Sequence, residues 1–413
     1  MFSKVNSNIH IIDIFQSDFI KKFIDSLFGK AAYALSMMVF SLILTRLYGV
    51  ELFGEYSYAF ALVTFLMVFA RAGLDNGLIY YMPRNGNTYV SFSFLVNTIV
   101  SFLIITISLV FIENQYLKWF MPLIWLFSME HIFFGVYRHT GKFKEFYFIN
   151  GFLSMLLRII AAVVAYYLIG KNMFSILIAL YSSFLFANMY YFYKNKNRFG
   201  KIIFDLEFVK YSYPLVFSSM LGIIMDRIDL IMIGHMMTKT DVGVYQIAVQ
   251  VATLTSMILL IFNSVFAPKI SNLYQADKLL EVKNLYIKST RILGIISLLT
   301  VLILVIFSKY ILFLFGAEFI AGHLSLSLRA IGQFIFTAVG SVWYMLSMTG
   351  ETKLQLYGNL GACLLNVGLN FVLIPLYGIN GAAFASMVSV AFINILGYIL
   401  VCKKFKVKAY KFF

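Results

Sequence analysis

From Val96 to Phe111, and again from Ile292 to Phe307, the chain runs without a charged side chain and without the apolar–polar alternation of a half-buried strand. A water-facing surface cannot absorb many such runs. Soluble chains are about 45–50% apolar and about 25% charged; here hydrophobic types make up 61% and charged types 12%. In lipid every backbone polar group must be satisfied within the protein, which leaves helices or closed barrels as spanning elements. A helical span needs roughly 20 apolar residues, a barrel strand about 10 with alternation. The runs are long and unalternating, so the sequence predicts an all-α integral membrane protein and argues against a barrel.

Reading apolar runs against their breaks gives twelve expected transmembrane helices, at 24–46, 54–72, 91–112, 119–138, 148–169, 173–193, 212–236, 242–266, 291–313, 328–348, 354–375 and 379–402. The longest polar break near the middle, Lys194–Lys210, divides them into two sets of six. The expected organisation is an interfacial N-terminal segment (1–23), a six-helix lobe (24–193), a basic cytoplasmic linker (194–211), a second six-helix lobe (212–402) and a basic tail (403–413). Gly54, Tyr56, Ala59 and Thr64 recur at one constant offset as Gly243, Tyr245, Ala248 and Thr253, at the same topological position in each half. An even number of spans per half gives both the same orientation, hence an expected pseudo-twofold along the membrane normal, with substrate between the halves.

The charge balance, 33 Lys and Arg against 18 Asp and Glu, is topological. With the N-terminus in the cytoplasm, basic residues gather in the cytoplasmic segments, for example Lys194, Lys196, Arg198, Lys201 and Lys210 in the linker and Lys403, Lys404 and Lys406 in the tail. Lys118, Lys171 and Lys239 are among the few outside. This asymmetry sets both termini in the cytoplasm and removes the need to invoke nucleic acid. Cys363 and Cys402 both fall in expected helices, so neither a disulfide framework nor a metal cluster is implied. No cleavable signal pattern opens the chain, and no inter-span segment is long enough for a catalytic domain. A phosphate-gripping glycine loop and His/Cys metal spacing are likewise missing from the sequence, so the expectation is a non-enzyme without cofactor or metal.

Three stretches carry a resemblance. Leu44-Thr-Arg46-Leu-Tyr-Gly49 followed by Phe53-Gly54-Glu-Tyr56 lies between the first two spans. Met225-Asp226-Arg227-Ile-Asp229 precedes Ile233-Gly234 and Val242-Gly243-Val-Tyr245. Gly350-Glu-Thr-Lys353, Asn366 and Asn370 lead to Leu373-Ile-Pro375-Leu-Tyr377-Gly378-Ile-Asn-Gly381-Ala382-Ala383. In this order the three resemble the Wzx-type flippases of O-antigen and capsule repeat units, in the superfamily that also holds MATE exporters and lipid II flippases. The resemblance covers nearly the whole chain. It implies transport of an undecaprenyl-pyrophosphate-linked oligosaccharide between leaflets of the bacterial inner membrane, in lipopolysaccharide or capsule biosynthesis. The polymerase and chain-length machinery of the same pathway would be partners, beside the lipid-linked oligosaccharide and membrane lipid. A MATE-like cation or drug antiporter is the alternative.

An ionisable side chain inside a span costs about 2.5–3.5 kcal/mol even on lenient insertion scales, so such groups face a cavity or a partner. Arg227, Arg158, Lys30 and Arg46 are the candidates for a cationic cavity that attracts phosphate, for which a guanidinium fork is suited. Asp226, Asp229 and Glu130 are the candidates for binding a coupling proton or cation. The competing structural roles are ion pairs, such as Arg158 with Glu130, and snorkelling of Lys30 and Arg46 to the headgroups. Asp226 and Asp229 share a helix face while Arg227 points about 100° away, so they are expected to serve different neighbours. His131 beside Glu130 is expected to pack rather than relay protons, and Arg329 reads as a span-end charge.

Overall fold

The computed structural model describes residues 6–407 and 409–410, with side chains described from Ala32 onward apart from Ile261, Ser264, Val265, Ala267, Pro268 and Thr352. Among the described residues there is no strand. The helices are α1 (Asn6–Arg71), α2 (Leu74–Asn85), α3 (Val90–Phe111), α4 (Gln115–Phe120), α5 (Leu123–Thr140), α6 (Phe143–Tyr147), α7 (Met155–Ile169) and α8 (Met173–Asn195). After the linker come α9 (Leu206–Met236), α10 (Lys239–Gln275), α11 (Leu279–Ile306), α12 (Ser308–Phe313), α13 (His323–Ala338), α14 (Val342–Met348) and α15 (Thr352–Phe405). A π-helical stretch, Phe148–Ser154, leads into α7. Nine described stretches are long and apolar enough to cross a membrane.

Three of the nine are interrupted by a left-handed glycine, one of them at Gly340 between α13 and α14. Gly49 breaks α1 at φ 79° and Gly378 breaks α15 at φ 61°, left-handed values that glycine adopts without a Cβ clash. Pro375 lies inside α15, three residues ahead of the break. The fifth and sixth expected spans separate where the sequence suggests, at Gly170, with the Asn172 side chain capping α8 by accepting from the Ser175 N–H. The start of the expected interfacial segment, residues 1–5, lies outside the described residues; from Asn6 its backbone continues α1.

Helices α3 and α11 bury several small and polar side chains and expose many large apolar ones. On α3, Asn97, Ser101 and Ser108 are buried while Ile99, Phe102, Leu103, Val110 and Phe111 are exposed. On α11, Gly294 and Ser297 are buried while Ile292, Ile295, Leu299, Leu302 and Ile306 are exposed. This inverts the pattern of a soluble helix. Small residues let helices approach closely in lipid, and interhelical hydroxyl contacts such as Ser101 to Ser128 at 3.2 Å replace hydrophobic drive.

The apolar core has three parts. The largest joins the two halves of the chain at the end that holds Gly49, Phe315 and Phe319 and Gly378. At the opposite end each half has its own core. One is built on α2, α5 and α8 with Phe208 of α9; the other is built on α10, α11, α14 and the end of α15. The linker lies at this second end, where Ser91 donates to the Gly200 carbonyl at 2.9 Å and Arg198 to the Asn87 side chain at 3.0 Å. The Tyr89 phenol donates to Asp205 at the start of α9, holding that carboxyl below the usual aspartate range. Helix α9 thus begins against the N-terminal half and ends in the C-terminal one.

Candidate functional site

In the N-terminal half the site gathers where α5, α7 and α8 meet α1. Glu130 on α5 is 4% exposed and accepts a hydrogen bond from Asn150. Asn150 stands in the π-helical stretch, whose wider turn changes the facing of the residues that follow, a distortion often found at functional sites. Arg158, 3% exposed, donates from Nε to the Ser183 hydroxyl at 2.9 Å. Its guanidinium lies over the Phe184 ring at 4.7 Å and the Phe40 ring at 5.7 Å. Cation–π contacts and one hydroxyl are its direct partners. Glu130 is within its electrostatic reach, but among the described residues no carboxylate lies within ion-pair distance of Arg158.

In the C-terminal half, Asp229 is the hub. It is 2% exposed and accepts from the Tyr245 hydroxyl at 2.5 Å, the Ser386 hydroxyl at 2.9 Å and Arg329 at 3.4 Å. The network continues through Asn366, which donates to Ser386 at 3.4 Å, and Asn370, which donates to Asn366 at 3.1 Å. Four helices, α9, α10, α13 and both arms of α15, are therefore tied to one carboxylate. Removing one partner of a buried pair leaves the other charge uncompensated, at about 3–5 kcal/mol. Asp229→Ala is accordingly expected to lower the thermal midpoint of the purified protein strongly, and Asp229→Leu combined with Arg329→Met to recover much of the loss. Equal midpoints for the single and double variants would show that the pair carries no such energy.

Asp226 and Arg227 precede this hub by about a turn. Asp226 is exposed and within electrostatic reach of Arg227, Arg329 and Asp229. Arg227 is half-buried and, among the described residues, holds no ion pair. Its field and that of Arg158 both reach Tyr33 and Tyr56 on α1, so guanidiniums from the two halves converge on that helix. Asp226 and Asp229 lie on neighbouring positions of one helix face and both reach Arg329, but only Asp229 is buried in the helix contacts.

Arg46 stands apart from both clusters. It is exposed, and donates to the Leu314 carbonyl at 2.8 Å and the Phe313 carbonyl at 3.1 Å, at the end of α12. It therefore ties the two halves together at their shared end. The Lys30 side chain lies outside the described residues.

Arg329 differs from its reading as a span-end charge. Helix α13 begins at His323, so Arg329 lies a turn and a half inside and is 7% exposed. The available signal was Ser325, Arg329 and Gly332 at i, i+4 and i+7, all buried on one face. Asn150, Ser183 and Ser386 had no such signal, since lone small polar residues are scattered through every span.

Comparison with known proteins accords with this geometry. Residues 43–321 match the model of a family described as polysaccharide biosynthesis protein. A capsular polysaccharide biosynthesis protein, CapF, of Staphylococcus aureus is 22% identical over 278 residues, covering 66% of this chain and 70% of the relative. Among solved structures, an inward-facing multidrug resistance MATE family transporter of the MOP superfamily is similar with TM-score 0.74 at 14% identity, over 91% of this chain and 94% of that one. An outward-facing MATE transporter gives 0.65 at 13% identity, over 94% and 95%. A mutant of the Vibrio cholerae MATE transporter VcmN also gives 0.65 at 13% identity, over 94% and 98%. The helices form the MATE fold of multi-pass membrane transporters, and by its sequence the chain belongs to the polysaccharide biosynthesis protein family.

Proposed function

We propose that the protein moves an undecaprenyl-pyrophosphate-linked oligosaccharide repeat unit from the cytoplasmic to the outer leaflet of the bacterial inner membrane. The observation that carries this is Arg158: a buried cation whose direct partners are a hydroxyl and two aromatic rings. A buried charge without a counter-ion is costly, and a diphosphate entering between the halves would compensate both it and Arg227. Membership in a polysaccharide biosynthesis family favours a glycan cargo. The prenyl tail stays in the bilayer while the polar head passes along the arginines.

The transport cycle is alternating access between two six-helix lobes related by a pseudo-twofold along the membrane normal. Dividing α1 at Gly49 and α15 at Gly378, and admitting the charged α9, turns the nine apolar stretches into twelve spans. The echoed Gly54 and Gly243 oppose each other between α1 and α10, as residues near such an axis would. The shared core at one end and separate cores at the other support a form open to the side of the basic linker, taken as cytoplasmic with both termini. The greater likeness to an inward-facing relative agrees. Glu130, Asp226 and Asp229 are the carboxylates for ion coupling, and the polymerase of the same pathway is the natural recipient of the product.

Deletion of the gene tests the reading: surface glycan is expected to vanish and lipid-linked single repeat units to accumulate on the cytoplasmic leaflet. Repeat units reaching the outer leaflet unchanged would overturn it. The exposed Asp226 favours a second reading, a cation or drug antiporter, which predicts drug sensitivity with intact glycan in the same deletion.

A further inference from the structure

Arg84 and Arg138, in the last turns of α2 and α5, meet in the structure. They line a cavity of about 640 Å³ between α2, α5 and α9, with Tyr80, Tyr211, Ser218 and Ser219 around it. Among the described residues no Asp or Glu lines this cavity. Arg84 donates to the Tyr80 hydroxyl at 3.3 Å and lies over its ring at 5.1 Å. The Arg138 side chain makes no hydrogen bond or ion pair with another described residue; Asp75, within its field, is already bound by Arg71 at 2.9 Å. Tyr80 and Tyr211 stack with ring centroids 4.2 Å apart, setting a flat aromatic pair beside the guanidiniums. The Ser212 turn of α9 lies so close to α2 that a Cβ at Gly73 or Gly77 would fall 2.2 or 2.1 Å from its oxygens. Helices α2 and α9 therefore meet in close contact beside the cavity. The cavity lies at the end where the halves have separate cores, and α9, which forms one side, is the helix that carries Arg227 deeper in.

We infer that this cavity is a docking site for a sugar-bearing diphosphate, the head of a lipid-linked saccharide, occupied before the head reaches Arg158 and Arg227. The inference rests on the flippase reading above and adds a separate subsite to it. Two guanidiniums without a carboxylate partner suit the two phosphates, since each offers a planar donor fork. Serine hydroxyls from the adjoining turn of α9 can donate to the remaining phosphate oxygens. The stacked tyrosines present an apolar face with polar rims, which fits a sugar ring. Arg84, Pro83 and Arg138 are exposed, so the site is open to the compartment in which such a head would be loaded.

The test uses the full chain in nanodiscs, titrated with a polyprenyl diphosphate carrying one sugar. Loss of a charge-assisted contact is expected to weaken binding about tenfold for Arg84→Gln or Arg138→Gln alone, and more for the pair. Thermal midpoints should be unchanged, because both side chains are exposed. Tyr211→Ala should weaken binding of the sugar-bearing lipid and leave the bare polyprenyl diphosphate unaffected. Soluble inorganic diphosphate and vesicles of phosphatidylglycerol are the control probes, and each is expected to compete poorly. Full competition by either would overturn the inference, because the site would then take a free anion or any acidic headgroup. Transport in proteoliposomes separates the two failures. If wild type moves the lipid and Arg84→Gln/Arg138→Gln binds and moves it equally, the docking site falls and the flippase stands. If wild type neither binds nor moves the lipid, both fall.

Discussion

Arg227→Ala is expected to reduce surface polysaccharide at least tenfold while leaving the amount of protein in the membrane unchanged. Both halves of this expectation come from the same geometry. Arg227 is half-buried and holds no ion pair among the described residues, so its removal breaks no direct side-chain contact. The same lack of a partner leaves the guanidinium free for cargo, and a hydrogen bond to a charged group contributes about 1.5–3 kcal/mol. At about 1.4 kcal/mol per decade this is a tenfold to hundredfold loss. Arg227→Lys should restore part of the transport, since it keeps the charge but not the fork. Arg158→Ala should differ, because it also removes packing over Phe40 and Phe184 and should lower the protein level as well. Quantitative blotting of glycan and protein from the same cells reads both effects. Intact surface glycan in Arg227→Ala would remove this residue from the transport path.

The contrast between Arg227 and Asp229 shows how far the sequence could be read. The apolar runs and the glycine breaks are local properties, so spans and turns such as Gly170 and Gly378 follow from composition and backbone sterics alone. That a charge sits inside α9 is equally local. Which of three neighbouring charges is partnered is not, because it depends on what α10, α13 and α15 present at that depth. Asp229 meets Tyr245, Arg329 and Ser386, residues from 16 to 157 positions away. Arg227, two residues earlier, meets none of them. The same holds for Arg84 and Arg138: each looks like an ordinary basic residue at a helix end, and only the approach of α9 to α2 and α5 turns them into the lining of one cavity. The pairing of Arg158 with Glu130 was a reasonable expectation from adjacent spans. In the structure Asn150 takes Glu130, through a π-helical distortion that no sequence period announces.

Gly54→Ala is expected to shift the protein toward the form open at the opposite face rather than to unfold it. A Cβ at Gly54 would fall 1.7 Å from the Lys239 carbonyl oxygen and 2.9 Å from the Gly243 nitrogen. These are backbone atoms and cannot turn aside as a long side chain could. Overpacking at such a contact costs about 1–3 kcal/mol. In a rigid core that cost would fall on overall stability. Here the contact joins the two halves of the chain at their shared end, next to the Arg46 bonds to Phe313 and Leu314 and the Ser41 bond to Gln250. If the halves rock, separating α1 from α10 relieves the clash without disturbing either half, and a shift of about 1.4 kcal/mol changes the ratio of the two forms tenfold. The measurement is the rate of disulfide formation between cysteines placed at Arg46 and Leu314, with and without Gly54→Ala. The alanine variant should cross-link at least several-fold more slowly while its thermal midpoint stays near that of the parent. Unchanged cross-linking with a lowered midpoint would mean that this end of the molecule is a fixed core, and that access to the other leaflet opens somewhere else.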